Sequence, residues 1–144
     1  TTTRYVVSIE TSAPSPTTSR SGRAPTVLCV DDEPMVLEGL FLHLRRHYKV
    51  LTERSPLNAI RLLREHPETA VIISDMRMPG MDGIELVQKV RERKIHCRIM
   101  VFCSALSRDV HDAYRRLSVD RMLYKPVMPA ELRTAIREIF AEKK

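Results

Sequence analysis

Three short apolar runs in this chain each stop abruptly on a polar residue, with helix-like segments between them. Val27-Leu28-Cys29-Val30 runs into Asp31-Asp32, Val71-Ile72-Ile73-Ser74 into Asp75, and Ile99-Met100-Val101-Phe102-Cys103 into Ser104. Continuous apolar runs of this length suit strands covered on both faces, as inside a parallel sheet. Lys49-Val50-Leu51-Thr52 and Met122-Leu123-Tyr124 are weaker strands of the same kind. Between the strands the period changes. Residues 34–47 align Leu37, Leu40, Phe41 and Leu44 on one stripe, and Ser55-Pro56 supplies an N-cap and an N1 proline ahead of Ile60 and Leu63. Ile84, Val87 and Val90 recur at helical spacing, as do Val110, Ala113, Tyr114 and Leu117, and then Leu132, Ile136, Ile139 and Phe140 after Pro129. Strict alternation of five strands and five helices predicts an α/β fold, a doubly wound five-stranded parallel sheet with helices on both faces.

The chain has 144 residues, room for one domain with a buried core. Residues 1–25 read as a flexible tail or linker, because Thr11 to Pro25 contain no large apolar side chain; residues 26–144 form the folded domain. Within the tail, Tyr5-Val6-Val7-Ser8-Ile9 has the propensity to add to an open sheet edge. Three cysteines, Cys29, Cys97 and Cys103, with no CxxC spacing, exclude a disulfide framework and a zinc ribbon and lead us to expect the cytoplasm. No apolar stretch approaches the ~20 residues of a membrane span, and no secretory pattern opens the chain. Its first residue is Thr1, so a processed, trimmed or excised chain is expected. The net charge is +6, but basic residues alternate with acids along the helices, which reads as solvated faces and no direct nucleic-acid binding. His43 and His47, four apart without a third ligand, read as exposed helix residues.

Ligands of open parallel sheets bind at the carboxyl ends of strands, where the strand order reverses. In the flavodoxin-like order 2-1-3-4-5 the first and third strands are neighbours, so Asp31, Asp32 and Asp75 converge. Carboxylates so close disfavour one another's ionisation unless a cation neutralises them. A hard divalent ion, most naturally Mg2+, meets that need. Ser104 ends the fourth strand, and Lys125 follows the fifth directly before Pro126. A metal, an ammonium and a hydroxyl around one carboxylate are what phosphoryl transfer requires, since its transition state spreads negative charge over the equatorial oxygens.

At this point the residues resemble a known family. Val30-Asp31-Asp32-Glu33-Pro34, Ser74-Asp75-Met76-Arg77-Met78-Pro79-Gly80-Met81-Asp82-Gly83, Cys103-Ser104-Ala105 and Lys125-Pro126 together resemble the receiver domain of two-component response regulators. The resemblance spans about residues 25–144 and implies roles position by position. Asp75 matches the phosphoacceptor, which takes a phosphoryl group from a phosphohistidine on a sensor histidine kinase or phosphotransfer protein. Asp31 and Asp32 match the acidic pair holding Mg2+, which also touches Asp75 and the backbone carbonyl of Arg77. Ser104 matches the switch hydroxyl and Lys125 the lysine that pairs with the phosphoryl group, with a cis bond to Pro126. The fourth helix, fifth strand and fifth helix match the output surface, used for phosphorylation-dependent homodimers or partner docking. The resemblance thus implies a signalling domain with self-phosphorylation and self-dephosphorylation activity, not an enzyme acting on an external substrate.

The departures are local. Met122 stands where the family usually has the switch aromatic that moves inward with the hydroxyl, and Tyr124 is expected on the opposite strand face. Ser118 stands where glycine is common, and Leu106 is a bulky neighbour of the phosphoryl site. Two rival readings find little in the residues. A Mg2+-dependent phosphohydrolase needs a second Asp two residues after its nucleophile, where Arg77 follows Asp75 and Glu33 follows Asp31. A receiver-fold interaction module working without phosphorylation draws on Met122 alone.

Overall fold

The continuous apolar runs become strands buried on both faces. The computed structural model describes residues 3–5, 24–78, 80–104 and 107–142. Its elements in chain order are β1 (Thr3–Tyr5), β2 (Thr26–Val30), α1 (Pro34–Leu44), β3 (Lys49–Glu53), α2 (Pro56–Glu65) and β4 (Thr69–Asp75), followed by α3 (Gly83–Glu92), β5 (Arg98–Cys103), α4 (Arg108–Arg116), β6 (Arg121–Tyr124) and α5 (Pro129–Ala141). The sheet order is β1-β3-β2-β4-β5-β6. From β3 to β6 every neighbouring pair is parallel, which is the expected order 2-1-3-4-5. All five residues of β2 are buried. The edge strand β6 is only half-covered, which explains why its sequence signal is weak.

One strand was not in the expected set. Thr3–Tyr5 runs antiparallel to β3, with Thr3 opposite Glu53 and Tyr5 opposite Leu51. The expected tail therefore contains a short strand on the β3 edge. Val6 to Ile9, the rest of the expected edge segment, lie outside the described residues.

Alternation along the strands builds two cores. Leu28, Val30, Leu51, Ile72, Ile99 and Val101 pack with α2, α3 and α4, including Leu62, Leu86, Val90 and Tyr114. Val27, Cys29, Val50, Val71, Ile73 and Met100 pack with α1 and α5, including Leu40, Leu44, Ile136 and Ile139. Helix ends follow local chemistry. Ser55 Oγ accepts the Asn58 N–H at 3.4 Å ahead of Pro56, as expected. Helix α1 stops at Leu44, short of the expected residue 47, and Tyr48 leaves it to stack on Phe140 of α5 at 5.8 Å. His47 thus lies beyond the helix, half-buried in a T-shaped contact with the Tyr48 ring. The three cysteines are free and buried, and burial, helped by the Asp31 charge, pushes Cys29 up to about 12. Among the described residues no helix is long and apolar enough to cross a membrane.

Candidate functional site

Parallel strands deliver their carboxyl ends to one side of the sheet, and the polar residues that stop the apolar runs gather there. Beyond β2, the Asp31 N–H donates to Glu53 O at 3.2 Å, and Asp31 Oδ1 accepts the Glu33 N–H at 2.9 Å. Arg54 Nε donates to Asp32 O at 3.2 Å. The main chain of the acidic pair is thereby tied to the end of β3. Beyond β4, the Met76 N–H donates to Phe102 O and the Gly83 N–H to Met76 O, each at 2.9 Å, folding the chain back onto itself. The fold-back uses Gly80 at φ +84°, a left-handed conformation that glycine adopts without strain. Met76, Met78 and Met81 are buried and tie this loop to the core, while Arg77 between them is exposed. Asp82 then caps α3 reciprocally with Glu85, Asp82 Oδ1 accepting the Glu85 N–H at 3.0 Å and Glu85 Oε1 the Asp82 N–H at 3.2 Å.

The geometry unites four of the expected residues. Asp31, Asp32 and Asp75 each bring a carboxylate oxygen to a group in which all lie within 4.8 Å of one another. Lys125 Nζ lies 2.6 Å from Asp75 Oδ1. That oxygen is buried, and both a hydrogen bond and charge favour the ammonium beside it. Burial lifts the Asp31 carboxyl to about 6; the charges of Asp75 and Asp32 add to the lift, while the Glu33 N–H and Lys125 oppose it. Burial works against the Lys125 charge, but the adjoining Asp75 carboxylate, with Asp31 and Glu33 behind it, outweighs burial and raises its pKa. One ammonium facing three carboxylates leaves the site negative. Such a set of hard oxygen donors fits a divalent cation.

The remaining expected residues lie around this centre. Ser104 is exposed at the end of β5, the strand next to β4, and the Lys125 N–H donates to Cys103 O at 2.8 Å. The Lys125–Pro126 peptide is cis, as the resemblance implied. Met122 is half-buried against the core beneath α3 and α4. Tyr124 shares its strand face and lines a groove with Ser107, Arg108 and His111 of the α4 region. The expectation of the opposite face was wrong, because strand residues two apart point the same way. Ser118 adopts φ +60°, the conformation for which glycine is suited. Leu106 lies outside the described residues. His43 and His47 do not join the acidic group.

Two contributors were not singled out in the sequence. Arg91, read as part of a solvated face, donates from Nε to Leu117 O at 3.0 Å and from Nη2 to Ser118 O at 2.8 Å, closing the end of α4. Tyr114, read as one of a helix stripe, is wholly buried against the loop after Asp75. Its hydroxyl is 2.6 Å from where a Cβ on Gly83 would lie.

Comparison with known proteins agrees with this arrangement. The response regulator receiver domain family matches residues 27–137. The hydrogenase transcriptional regulatory protein HoxA of Cupriavidus necator is 34% identical over 119 residues, 82% of this chain and 24% of HoxA. The nitrate/nitrite response regulator protein NarL of Escherichia coli is 33% identical over 119 residues, 81% of this chain and 55% of NarL. The chain thus spans only part of the length of these relatives. The chemotaxis protein CheY4 of Vibrio cholerae superposes with a TM-score of 0.75 at 25% identity, over 81% of this chain and 98% of that one. On the family match, which covers most of its length, and on relatives of this identity, the chain belongs to the response regulator receiver domains of two-component systems.

Proposed function

We propose that this receiver domain accepts a phosphoryl group on Asp75, in a Mg2+-dependent reaction, from the phosphohistidine of a sensor histidine kinase or phosphotransfer protein. One observation carries the reading: Asp75 is a buried carboxylate with Lys125 on one oxygen and the Asp31–Asp32 pair close by. In the transfer, an Asp75 oxygen bonds to phosphorus as the phosphorus–nitrogen bond breaks. The bonding pair stays with the imidazole, which takes up a proton, and an acyl phosphate remains on the chain. Lys125 already faces the nucleophilic carboxylate, so its ammonium is at hand for the arriving oxygens. Ser104, at the next strand end, is the hydroxyl that turns to donate to a phosphoryl oxygen. Asp31, Asp32 and Asp75, with the backbone carbonyl of Arg77, would hold Mg2+. When bound, that ion offsets the charge shared by the carboxylates and the phosphoryl group.

Phosphorylation adds about two negative charges at Asp75. The response is a shift between two arrangements of the output surface formed by α4, β6 and α5, read by a homodimer or a docking partner. The groove between α4 and Tyr124 on that surface supports the docking role. Residues 26–144 act as the cytoplasmic receiver and residues 1–25 as its tail. The domain phosphorylates and dephosphorylates itself and acts on no external substrate. Met122 at the aromatic position is the one feature favouring an interaction module that works without phosphorylation. Incubation with acetyl phosphate and Mg2+, followed by intact-mass measurement, decides between the two. We expect one phosphate adduct on the chain and none on Asp75→Asn. An unmodified chain, or an equal adduct on both proteins, refutes the reading.

A further inference from the structure

One buried group next to the site has no part in the scheme above. Tyr114 on α4 is 0% exposed. It belongs to the core that holds Met76, Met78, Met81 and Cys103, with Met122 packed at its margin. Its hydroxyl has no hydrogen-bond partner among the described residues. Most buried tyrosines find one.

The location of this hydroxyl is informative. A Cβ built on Gly83 would meet the Tyr114 hydroxyl at 2.6 Å, the Asp75 carbonyl oxygen at 2.9 Å and the Met76 Cα at 3.1 Å. Three groups thus converge on one point behind the peptide of Asp75, and only glycine leaves space for them. The phenol reaches from α4 to the strand end that carries the acidic pocket. Met122, at the position where this family usually has an aromatic, is a conformable thioether without a polar tip.

We propose that Tyr114 is the positioning residue that couples Asp75 to α4 in this chain, and that its partnerless hydroxyl biases α4 toward leaving its described position. A buried hydroxyl without a partner destabilises the arrangement that contains it. Any movement of α4 that brings the hydroxyl to water or to an acceptor removes that penalty. A phosphoryl group favouring the moved arrangement then has less to overcome. The inference rests on the phosphoacceptor reading, since its ligand is the phosphoryl group at Asp75.

Tyr114→Phe keeps the ring and removes only the hydroxyl. The probe is beryllium trifluoride with Mg2+, a mimic of the phosphoryl group, titrated calorimetrically into the full chain, with thermal unfolding measured alongside. The variant stabilises the arrangement that the probe must displace, so we expect probe affinity to fall about tenfold and the melting temperature to rise by about 3 °C. Met122→Leu, which conserves volume, should stay within about twofold of the parent affinity. An affinity in Tyr114→Phe that is unchanged or increased overturns the proposal, whatever the melting temperature does. So does a larger loss in Met122→Leu than in Tyr114→Phe. Asp75→Asn separates the two levels. If the parent chain binds the probe and Asp75→Asn does not, the phosphoacceptor reading stands and a flat Tyr114→Phe result counts against Tyr114 alone. A folded parent chain that ignores the probe overturns both.

Discussion

Replacing Asp31 with asparagine should stabilise the metal-free protein at neutral pH. Asp31 is 3% exposed, and its carboxyl is raised from 3.8 to about 6, by burial first and then by the charges of Asp75 and Asp32. A carboxyl with a higher pKa folded than unfolded holds its proton more tightly in the folded state. Its contribution to stability is complete below the unfolded value of 3.8 and is lost as the pH rises through about 6. Above that range the ionised side chain is a burden. A rise from 3.8 to about 6 corresponds to about 3 kcal/mol, at about 1.4 kcal/mol for each tenfold change in proton affinity. Water at half-exposed Asp32 screens part of this, leaving about 1–2 kcal/mol. Asparagine keeps an oxygen for the Glu33 N–H and cannot ionise. Urea unfolding with a chelator near pH 7.5 should therefore place the midpoint of Asp31→Asn roughly 0.5–1 M above the parent. The gap should narrow toward pH 5, as the parent regains its proton. Mg2+ should also narrow it by stabilising the parent more than the variant. A variant less stable than the parent near pH 7.5, without metal, would show that repulsion and burial at Asp31 do not govern this site.

Three further outcomes follow from the backbone. Ser118→Gly should stabilise by about 1 kcal/mol, because glycine takes the left-handed φ of +60° without steric cost and the Arg91 bond to the residue 118 carbonyl survives; thermal unfolding reads this directly. Gly83→Ala should destabilise by about 1–3 kcal/mol, since the new carbon meets backbone atoms of Asp75 and Met76 as well as the Tyr114 hydroxyl. Adding Tyr114→Phe to that variant should recover only part of the loss in urea unfolding. Removing residues 1–5 uncovers the β3 edge, and sedimentation should then show more self-association than in the parent.

How much of this was readable beforehand depended on the range of each interaction. A strand covered on both faces has to be apolar throughout, so β2, β4 and β5 appear in the sequence as runs. The register of a parallel sheet brings their terminal residues together, which made Asp31, Asp32, Asp75 and Lys125 legible as one site. The three-residue β1 shows no period of its own, and its pairing with Leu51 to Glu53 is a tertiary event. Arg91 in the Arg91-Glu92-Arg93-Lys94 run looks like any solvated charge, yet its bonds go to carbonyls 26 and 27 positions away. Arg98 is similar: it closes α5 through Ile139 O at 3.0 Å and Glu142 O at 2.9 Å. The spacing of Tyr114 placed it in the core, but spacing carries no information about which loop the hydroxyl faces.

The three thioethers that hold the loop after Asp75 also make it measurable. Met76, Met78 and Met81 are 6–7% exposed, whereas Met35 is 84% and Met128 60% exposed. Sulfoxide formation follows access of the oxidant to sulfur. In one brief peroxide pulse, Met35 and Met128 would record the oxidant dose and the loop trio the fraction of time their cover lifts. Peptide mapping of a single sample, with the exposed pair as its internal clock, would thus time the opening of the loop after Asp75 without any label.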